Sequence, residues 1–136
     1  MEISRNPFYV FDLDEQTSLM SFVWTEKSVS MTAADYMAAI RAYARLVLKH
    51  RARCALVDLR KFQFRVVDSD IPGSWWADEI VPLYNQAGLA KFAFVLPEGV
   101  QVPPDEASTN AQAGEKFVTK KFSSEQAAIS WVTGNS

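Results

Sequence analysis

The stretch Arg53-Cys54-Ala55-Leu56-Val57-Asp58-Leu59 is a short apolar run, and it predicts a buried β-strand. The segment before it predicts an amphipathic helix over about residues 33–49, because apolar side chains recur from Tyr36 to Val47 at spacings of four, three and four. Another β-rich run, residues 18–24, precedes that helix. A strand, a helix and a strand in this order predict a right-handed, parallel β-α-β unit.

Two further signals place a hairpin before this unit and define the start of its helix. Residues 7–11 and 18–24 are both β-rich, and the polar residues 12–17 between them predict the turn of a hairpin. At the helix start, the Thr32 hydroxyl can accept a hydrogen bond from an exposed backbone N–H. Asp35 stands at the spacing that completes a capping box.

The second half of the chain predicts another crossover helix and another buried strand. The helix begins near Ser74 and ends at Gly88, and the strand covers residues 91–96. Because Pro82 removes one backbone hydrogen bond inside the helix, we expect a kink or two short helices there. The buried stripe of this helix consists of Trp76, Ile80, Leu83 and Ala87.

The C-terminal region predicts three short elements. These are a helix near residues 104–113, an edge strand over residues 115–119, and a terminal helix whose capping box joins Ser123 to Gln126. Taken together, the elements predict one α/β domain over residues 1–136. Its mixed sheet would have four to five strands, made of the N-terminal hairpin and parallel β-α-β units, with helices packed on it.

The composition is that of an ordinary globular protein. The 136 residues are 49% hydrophobic and 22% charged, and 14 Lys and Arg oppose 16 Asp and Glu, which gives a formal net charge of -2. A charge so near zero gives no bulk indication of binding to nucleic acid or to a membrane surface. No uncharged run is long enough to span a bilayer, and the first residues lack the apolar region of a secretion signal. We therefore expect a cytoplasmic protein.

The residue inventory gives little support for catalysis or for a cofactor. The five glycines are widely spaced, so the sequence contains no glycine-rich loop that would cradle a phosphate. One Cys and one His do not suffice for a zinc site of the usual type. We expect Cys54 to be a buried thiol on its strand and His50 to have a structural role in the last turn of its helix. The prediction is therefore no metal, no cofactor and no enzymatic activity.

A binding site, if there is one, is expected at one edge of the sheet. Ligands of open α/β sheets bind beyond the carboxyl ends of the parallel strands. In an alternative interpretation, Asp58 and Arg60 simply pair with each other or cap loops. The residues predicted at this edge, which form the candidate binding rim, are Trp24, Glu26, Asp58, Arg60, Ser74 and Trp75.

Three further features are candidates for recognition. Adjacent helical residues point about 100° apart, so one of Trp75 and Trp76 is expected to pack inward and the other to lie at a surface or groove. Phe62 and Phe64 alternate with charged or polar residues, which makes them candidates for an interface, for instance in a homodimer. The first helix also carries a basic face that is either a docking patch for an acidic partner or a solvated surface: Arg41, Arg45 and Lys49.

The order of these elements resembles that of the SpoIIAA-like superfamily of small bacterial proteins, which includes STAS domains and shares its fold with CRAL-TRIO lipid carriers. The similarity runs from Ser18 to about Val132. It lies in the order and spacing of Val23-Trp24-Thr25, the helix of residues 32–49, Leu56-Val57-Asp58-Leu59-Arg60, and the ending Ala127-Ala128-Ile129-Ser130-Trp131. The resemblance implies a four- or five-stranded mixed sheet without built-in catalysis.

One departure from this family concerns regulation. Anti-sigma-factor antagonists of this fold carry a phosphorylatable serine after an Asp-Xaa pair at the end of the central strand. In this chain Asp58-Leu59 is followed by Arg60. The resemblance therefore does not extend to that phosphorylation switch.

Two functions remain open from the sequence. The first is a non-enzymatic regulatory or protein-interaction domain of the STAS type, with a surface around Asp58, Arg60, residues 61–70 and Trp75. The second is a carrier or sensor of a small apolar or lipid-like ligand, held between the sheet and the helix from Trp75 to Tyr84. Nine Phe, four Trp and four Tyr supply enough aromatic side chains for such a lining. We expect no nucleic-acid partner and no membrane span.

Overall fold

Six strands and three α-helices make up the computed structural model, which describes residues 1–63, 71–72, 74–97, 99, 109 and 111–134. The strands are β1 (Glu2–Asn6), β2 (Tyr9–Asp14), β3 (Leu19–Trp24), β4 (Cys54–Asp58), β5 (Lys91–Val95) and β6 (Val118–Phe122). The helices are α1 (Ala33–His50), α2 (Val81–Ala87, preceded by a π-helical turn over Trp76–Ile80) and α3 (Glu125–Val132). Short 3-10 helices cover Glu26–Ser30 and Ala111–Ala113.

The strands lie in one sheet in the order β1-β2-β3-β4-β5-β6. The pairs β1–β2 and β2–β3 are antiparallel, and the pairs from β3 to β6 are parallel. The predicted hairpin and the parallel pairing of β4 with β5 are therefore confirmed, with Cys54 opposite Lys91 and Asp58 opposite Val95. The α/β class and the mixed sheet are confirmed as well.

The predicted count of four to five strands is wrong, because the sheet has six. The strand that the sequence did not reveal is β1, whose residues Glu2–Asn6 are mostly polar and none of which is fully buried. An edge strand of this kind buries little apolar surface and so carries little of the alternating pattern that identifies a strand.

Helix α1 begins and ends as the sequence predicted. The Asp35 backbone N–H donates to Thr32 Oγ1 at 3.1 Å, and the Thr32 N–H donates to Asp35 Oδ2 at 3.0 Å, so the capping box is complete. The helix ends at His50, and the capping residue Arg51 adopts the left-handed conformation with φ 51°. Tyr43 fastens this helix to the sheet, because its hydroxyl donates to the Met20 carbonyl at 2.6 Å.

Pro82 shapes the second crossover as expected. The chain forms one π-helical turn from Trp76 to Ile80, in which the Val81 N–H bonds to the Trp76 carbonyl, and α2 follows with proline in its first turn. Proline lacks the N–H that an uninterrupted α-helix would use there, and its ring would collide with the carbonyl four residues earlier. A widened turn accommodates both effects. The helix then ends at Gly88, whose φ of 83° is a conformation that glycine adopts without strain.

The C-terminal elements differ from the prediction in their positions. Strand β6 begins at Val118 rather than at residue 115, and Ser124, not Ser123, caps α3 by accepting from the Ala127 N–H at 3.3 Å. Both serines have three-residue spacings that fit a cap, so the pattern alone does not distinguish them. Of the helix expected near residues 104–113, the described residues contain only the 3-10 turn Ala111–Ala113.

The two faces of the sheet carry separate cores. Helices α1 and α2 cover one face, which is strongly aromatic and includes Phe11, Phe22, Tyr43, Tyr84 and Phe92. Helix α3 covers the other face across β4, β5 and β6, where the core consists of small and aliphatic residues. Cys54 lies in this second core as the expected buried thiol. In the part of the chain that the structure describes, no helix is long and apolar enough to span a bilayer.

Candidate functional site

A pocket of about 220 Å³ opens between the sheet, helix α1 and the π-helical turn before α2, at the carboxyl ends of the parallel strands. Its floor follows from strand register. Phe22 lies beside Val57 and Val57 lies beside Phe94, so one row of side chains crosses β3, β4 and β5. Because strand side chains alternate between faces, Trp24, Leu59 and Phe92 continue the same face and also line the pocket.

The roof and sides of the pocket come from the crossovers. Tyr36 and Ile40 lie one turn apart on α1 and reach the pocket from above the sheet. Trp76 reaches it from the π-helical turn before α2, and Phe62 reaches it from the segment after β4. The π-helical turn that precedes Pro82 therefore contains Trp76, which forms one wall of the pocket.

Aromatic contacts fix the walls in place. Trp24 stacks on Tyr36 with an interplanar angle of 13° and 6.0 Å between ring centroids, and Phe62 lies 4.8 Å from Trp24. Phe92 and Phe94 stack at 4.8 Å, as measured between their centroids. The indole N–H of Trp76 donates to Glu115 Oε2 at 3.0 Å. The walls are thus held by their own packing and by one hydrogen bond at the back of Trp76.

The described lining of the pocket is uncharged. None of the described side chains that border it carries a formal charge at neutral pH. Burial raises the pKa of Tyr36 above its ordinary value, so its phenol stays neutral. The floor residues Phe22, Trp24 and Phe92 are at most 2% exposed, whereas Tyr36 and Trp76 are half-buried. Through its described residues, the site therefore offers apolar surface and no formal charge with which to pair an ionic group.

The predicted rim residues Asp58 and Arg60 lie on the opposite face of the sheet. Arg60 Nε donates to Asp58 Oδ1 at 3.0 Å, and Arg60 Nη2 donates to Asp58 Oδ2 at 2.5 Å. Arg60 also pairs with Glu125 in the first turn of α3. These carboxylates raise the pKa of Arg60, chiefly through the hydrogen bonds that Arg60 donates to Asp58. The structure therefore shows the alternative arrangement, in which the two residues pair with each other, and the pair joins the end of β4 to α3.

The other rim residues are distributed over different places. Trp24 is in the pocket floor. Glu26 is exposed and borders a shallow groove on the sheet edge together with Arg5, Lys27 and Lys61. Ser74 is exposed, and its carbonyl accepts from the Asp78 N–H at 2.8 Å. The six rim residues are thus not brought together into one site.

The Trp75-Trp76 pair behaves as expected for neighbouring helical residues. Trp75 is 8% exposed, and its indole N–H donates to Glu79, which also pairs with Arg41 of α1. Those two donors, Arg41 first, lower the pKa of Glu79. Trp76 is the tryptophan that lines the pocket. The rim prediction therefore named the neighbour of the tryptophan that lines the pocket.

The remaining candidates have the following positions. Phe62 lines the pocket, and Phe64 lies outside the described residues. On the basic face of α1, Arg41 is engaged by Glu79, and Arg45 and Lys49 are exposed. His50 is exposed in the last turn of α1. Among the described residues, no three His, Cys, Asp or Glu side chains come together as metal ligands would.

Seven of the described pocket residues were not among the sequence candidates for a site: Phe22, Tyr36, Ile40, Val57, Leu59, Phe92 and Phe94. The sequence assigned Tyr36 and Ile40 to the buried stripe of a helix, and Phe92 and Phe94 to a strand. The structure places them in those elements. The period-two alternation at Val57-Asp58-Leu59-Arg60 was the available signal, because it separates Val57 and Leu59 from Asp58 and Arg60.

Comparison with known proteins adds no relative. No protein-family model matches the chain, and no curated protein or solved structure is significantly similar to it. The resemblance to the SpoIIAA-like superfamily therefore stays a prediction, and the sheet of six strands differs from the strand count that the resemblance implies.

Proposed function

We propose that this protein is a carrier or sensor of a small apolar molecule, which binds in the pocket between the sheet, helix α1 and the π-helical turn before α2. The observation that carries the proposal is the unfilled space of about 220 Å³ at the carboxyl ends of the parallel strands. Protein interiors are close-packed and leave few voids larger than a water molecule. An open α/β sheet binds its ligands at this same edge.

The chemistry of the lining agrees with the location. Apolar cavities stay dry and take up small apolar molecules, and a cavity of about 150 Å³ already accepts benzene. The present pocket exceeds that size, and none of the lining side chains that the structure describes is charged. Burying the remaining apolar surface of Tyr36 and Trp76 under a ligand would contribute roughly 25 cal/mol for each Å² removed from water.

The alternative of a protein-interaction domain centred on Asp58, Arg60 and Trp75 has weaker support. The polar atoms of those side chains bond within the chain, to one another or to Glu125 and Glu79. Residues 64–70 of the surface expected for that function lie outside the described residues. The interaction function stays a prediction, and the pocket supplies the stronger physical argument.

Thermal unfolding in the presence of small apolar probes tests the proposal. A ligand that binds only the folded state raises the unfolding midpoint. We expect at least one of p-cresol, 4-methylcyclohexanol and 1-heptanol to do so for the wild-type protein. Ile40→Trp, which fills the pocket, should remove the rise.

Ile129→Trp is the matched control, because Ile129 is 38% exposed on α3, on the other side of the sheet. It should keep the rise in midpoint. If none of the three probes shifts the wild-type midpoint up to its solubility limit, the proposed function is wrong.

A further inference from the structure

We infer that the ligand is a neutral molecule built on a planar aromatic ring, with small substituents and about nine non-hydrogen atoms in all. This inference rests on the proposed function and specifies the class of ligand. Three properties of the pocket lead to it: the chemical nature of its walls, their rigidity, and the absence of charge combined with its size.

The walls are made of rings. Of the lining side chains in the described part of the chain, all except Ile40, Val57 and Leu59 are aromatic. Aromatic rings attract one another edge-to-face or in offset stacks beyond the effect of the area they bury, because the ring edge is positive and the face negative. A saturated ligand of the same size would bury the same area without this electrostatic contribution. The lining therefore favours an aromatic ligand over its saturated counterpart.

The walls are also rigid. Trp24 is 2% exposed and stacks on Tyr36, and the hydrogen bond to Glu115 orients the Trp76 indole. A preorganised pocket favours a ligand that loses little freedom on binding. A planar ring has no internal rotation to lose, whereas an alkyl chain must give up several rotatable bonds. Rigidity thus separates an aromatic ring from a fatty chain of equal size.

Charge and size exclude further classes. None of the described lining side chains carries a positive charge that could pair with a carboxylate, and an unpaired charge is costly to remove from water. The space of about 220 Å³ is about one and a half times the cavity that takes benzene, which corresponds to a single substituted ring. Long-chain fatty acids fail on both grounds, because they are charged and too large.

The experiment is isothermal titration calorimetry with size-matched probes near neutral pH. The aromatic probe is p-cresol. Its saturated counterpart is 4-methylcyclohexanol, its flexible counterpart of equal atom count is 1-heptanol, and benzoate is the charged aromatic. We expect p-cresol to bind about tenfold more tightly than each of the other three.

A pair of variants assigns this preference to the pocket. Phe94→Leu removes one aromatic wall and should reduce the ratio of affinities between p-cresol and 4-methylcyclohexanol from about tenfold to about threefold. Phe122→Leu makes the same change on the face covered by α3, where Phe122 packs against Trp131, and should leave the ratio unchanged. The wild-type ratio decides the matter even if a variant does not fold.

The outcomes separate the two proposals. If 4-methylcyclohexanol or 1-heptanol binds as tightly as p-cresol, the aromatic class is wrong and the carrier or sensor function stands. If benzoate binds as tightly as p-cresol, the requirement for a neutral ligand is wrong. If no probe binds, the proposed function fails, and the ligand class fails with it.

Discussion

The two faces of the sheet solve the same packing problem with different side chains, and an apolar pocket opens at the edge of the aromatic face. The face under α3 is filled by small and aliphatic residues such as Leu56, Ala93 and Ala128, and an ion pair from Arg60 to Asp58 lies at its edge. The face under α1 and α2 is filled by large flat rings, and a pocket of about 220 Å³ remains at the same edge. Rings that are fixed by mutual stacking cannot spread to fill an irregular space, whereas aliphatic side chains can.

The end of β4 shows this difference within four residues. Val57 and Leu59 point to the pocket, whereas Asp58 and Arg60 point to α3 and pair there. One strand end therefore contributes an apolar wall to one face and an ionic contact to the other. The predictions below compare these two faces, beginning with the largest expected effect.

Matched leucines on the two faces should differ most in their contribution to stability. Leu56→Ala removes a side chain that is 3% exposed in the closed core, and we expect a loss of about 2–4 kcal/mol in the free energy of unfolding. Leu59→Ala enlarges a space that is already open, and we expect a loss of about 1 kcal/mol. Urea denaturation measures both, and equal losses would contradict the contrast between the faces.

Alkaline pH should act strongly on the aromatic face, because all four tyrosines of the chain lie there. Burial raises the pKa values of Tyr43 and Tyr84 well above the ordinary value of 10.0. Above pH 10 the unfolded state therefore loses protons that the folded state keeps. Stability is fully present below this pH and should fall above it by about 1.4 kcal/mol per pH unit for each such tyrosine.

Urea denaturation at a series of pH values from neutral to alkaline measures this loss. Tyr43→Phe should make the decline with pH shallower by the share of one tyrosine. The variant also loses the hydrogen bond to the Met20 carbonyl. That loss lowers stability equally at every pH, so it does not itself contribute to the change in slope. An unchanged slope in the variant would contradict the assignment.

The ion pair at the edge of the α3 face should contribute moderately. Asp58→Asn removes the buried charge that holds Arg60, and we expect a loss of about 1–2 kcal/mol, since only the carboxylate of this pair is buried. Glu125→Gln, at the exposed end of the same network, is the matched control and should cost less than about 0.5 kcal/mol. Neither change should alter the affinity for p-cresol, measured by calorimetry, because both residues lie across the sheet from the pocket. A change in affinity would place them in the site after all.

The smallest effect concerns the residue behind the Trp76 wall. Glu115→Ala removes the acceptor of the indole N–H, whereas Glu115→Gln keeps an acceptor oxygen in its place. We expect the alanine variant to bind p-cresol about threefold more weakly and the glutamine variant to bind it like the wild type. Calorimetry on both variants checks this, and an equal loss in the two would show that the charge of Glu115 matters rather than the hydrogen bond.

The sequence predicted those parts of the fold that depend on local patterns. The capping box at Thr32, the helix end at Gly88 and the apolar run Cys54–Asp58 each depend on neighbours within a few residues, and all three are confirmed. Strand β1 was not predicted because its pairing with β2 is made by backbone hydrogen bonds, which a polar sequence can form as well as an apolar one. The capping residue of α3 was predicted wrongly because Ser123 and Ser124 both satisfy the same spacing rule.

The site was predictable only in its general location. Trp24 lies in a pocket at the expected edge of the sheet, and that pocket lies between the sheet and elements that include the start of the second crossover. The alternation of side chains along a strand would also have predicted that Asp58 and Arg60 lie on the face opposite Val57 and Leu59. No periodicity distinguishes a stripe residue that fills the core from one that borders a void. Whether Tyr36 and Ile40 close the space depends on how rings from several elements fit together, which is a property of the assembled layers.

The most direct test of the account is a methyl NMR titration of the wild-type protein with p-cresol. Ile40, Val57 and Leu59 supply methyl groups inside the pocket, and Leu56, Val95 and Ile129 supply them on the α3 side. The account predicts saturable shifts of the first three residues, with the second three unmoved. Shifts that are larger on the α3 side, or no saturable shift at any of the six, would contradict it.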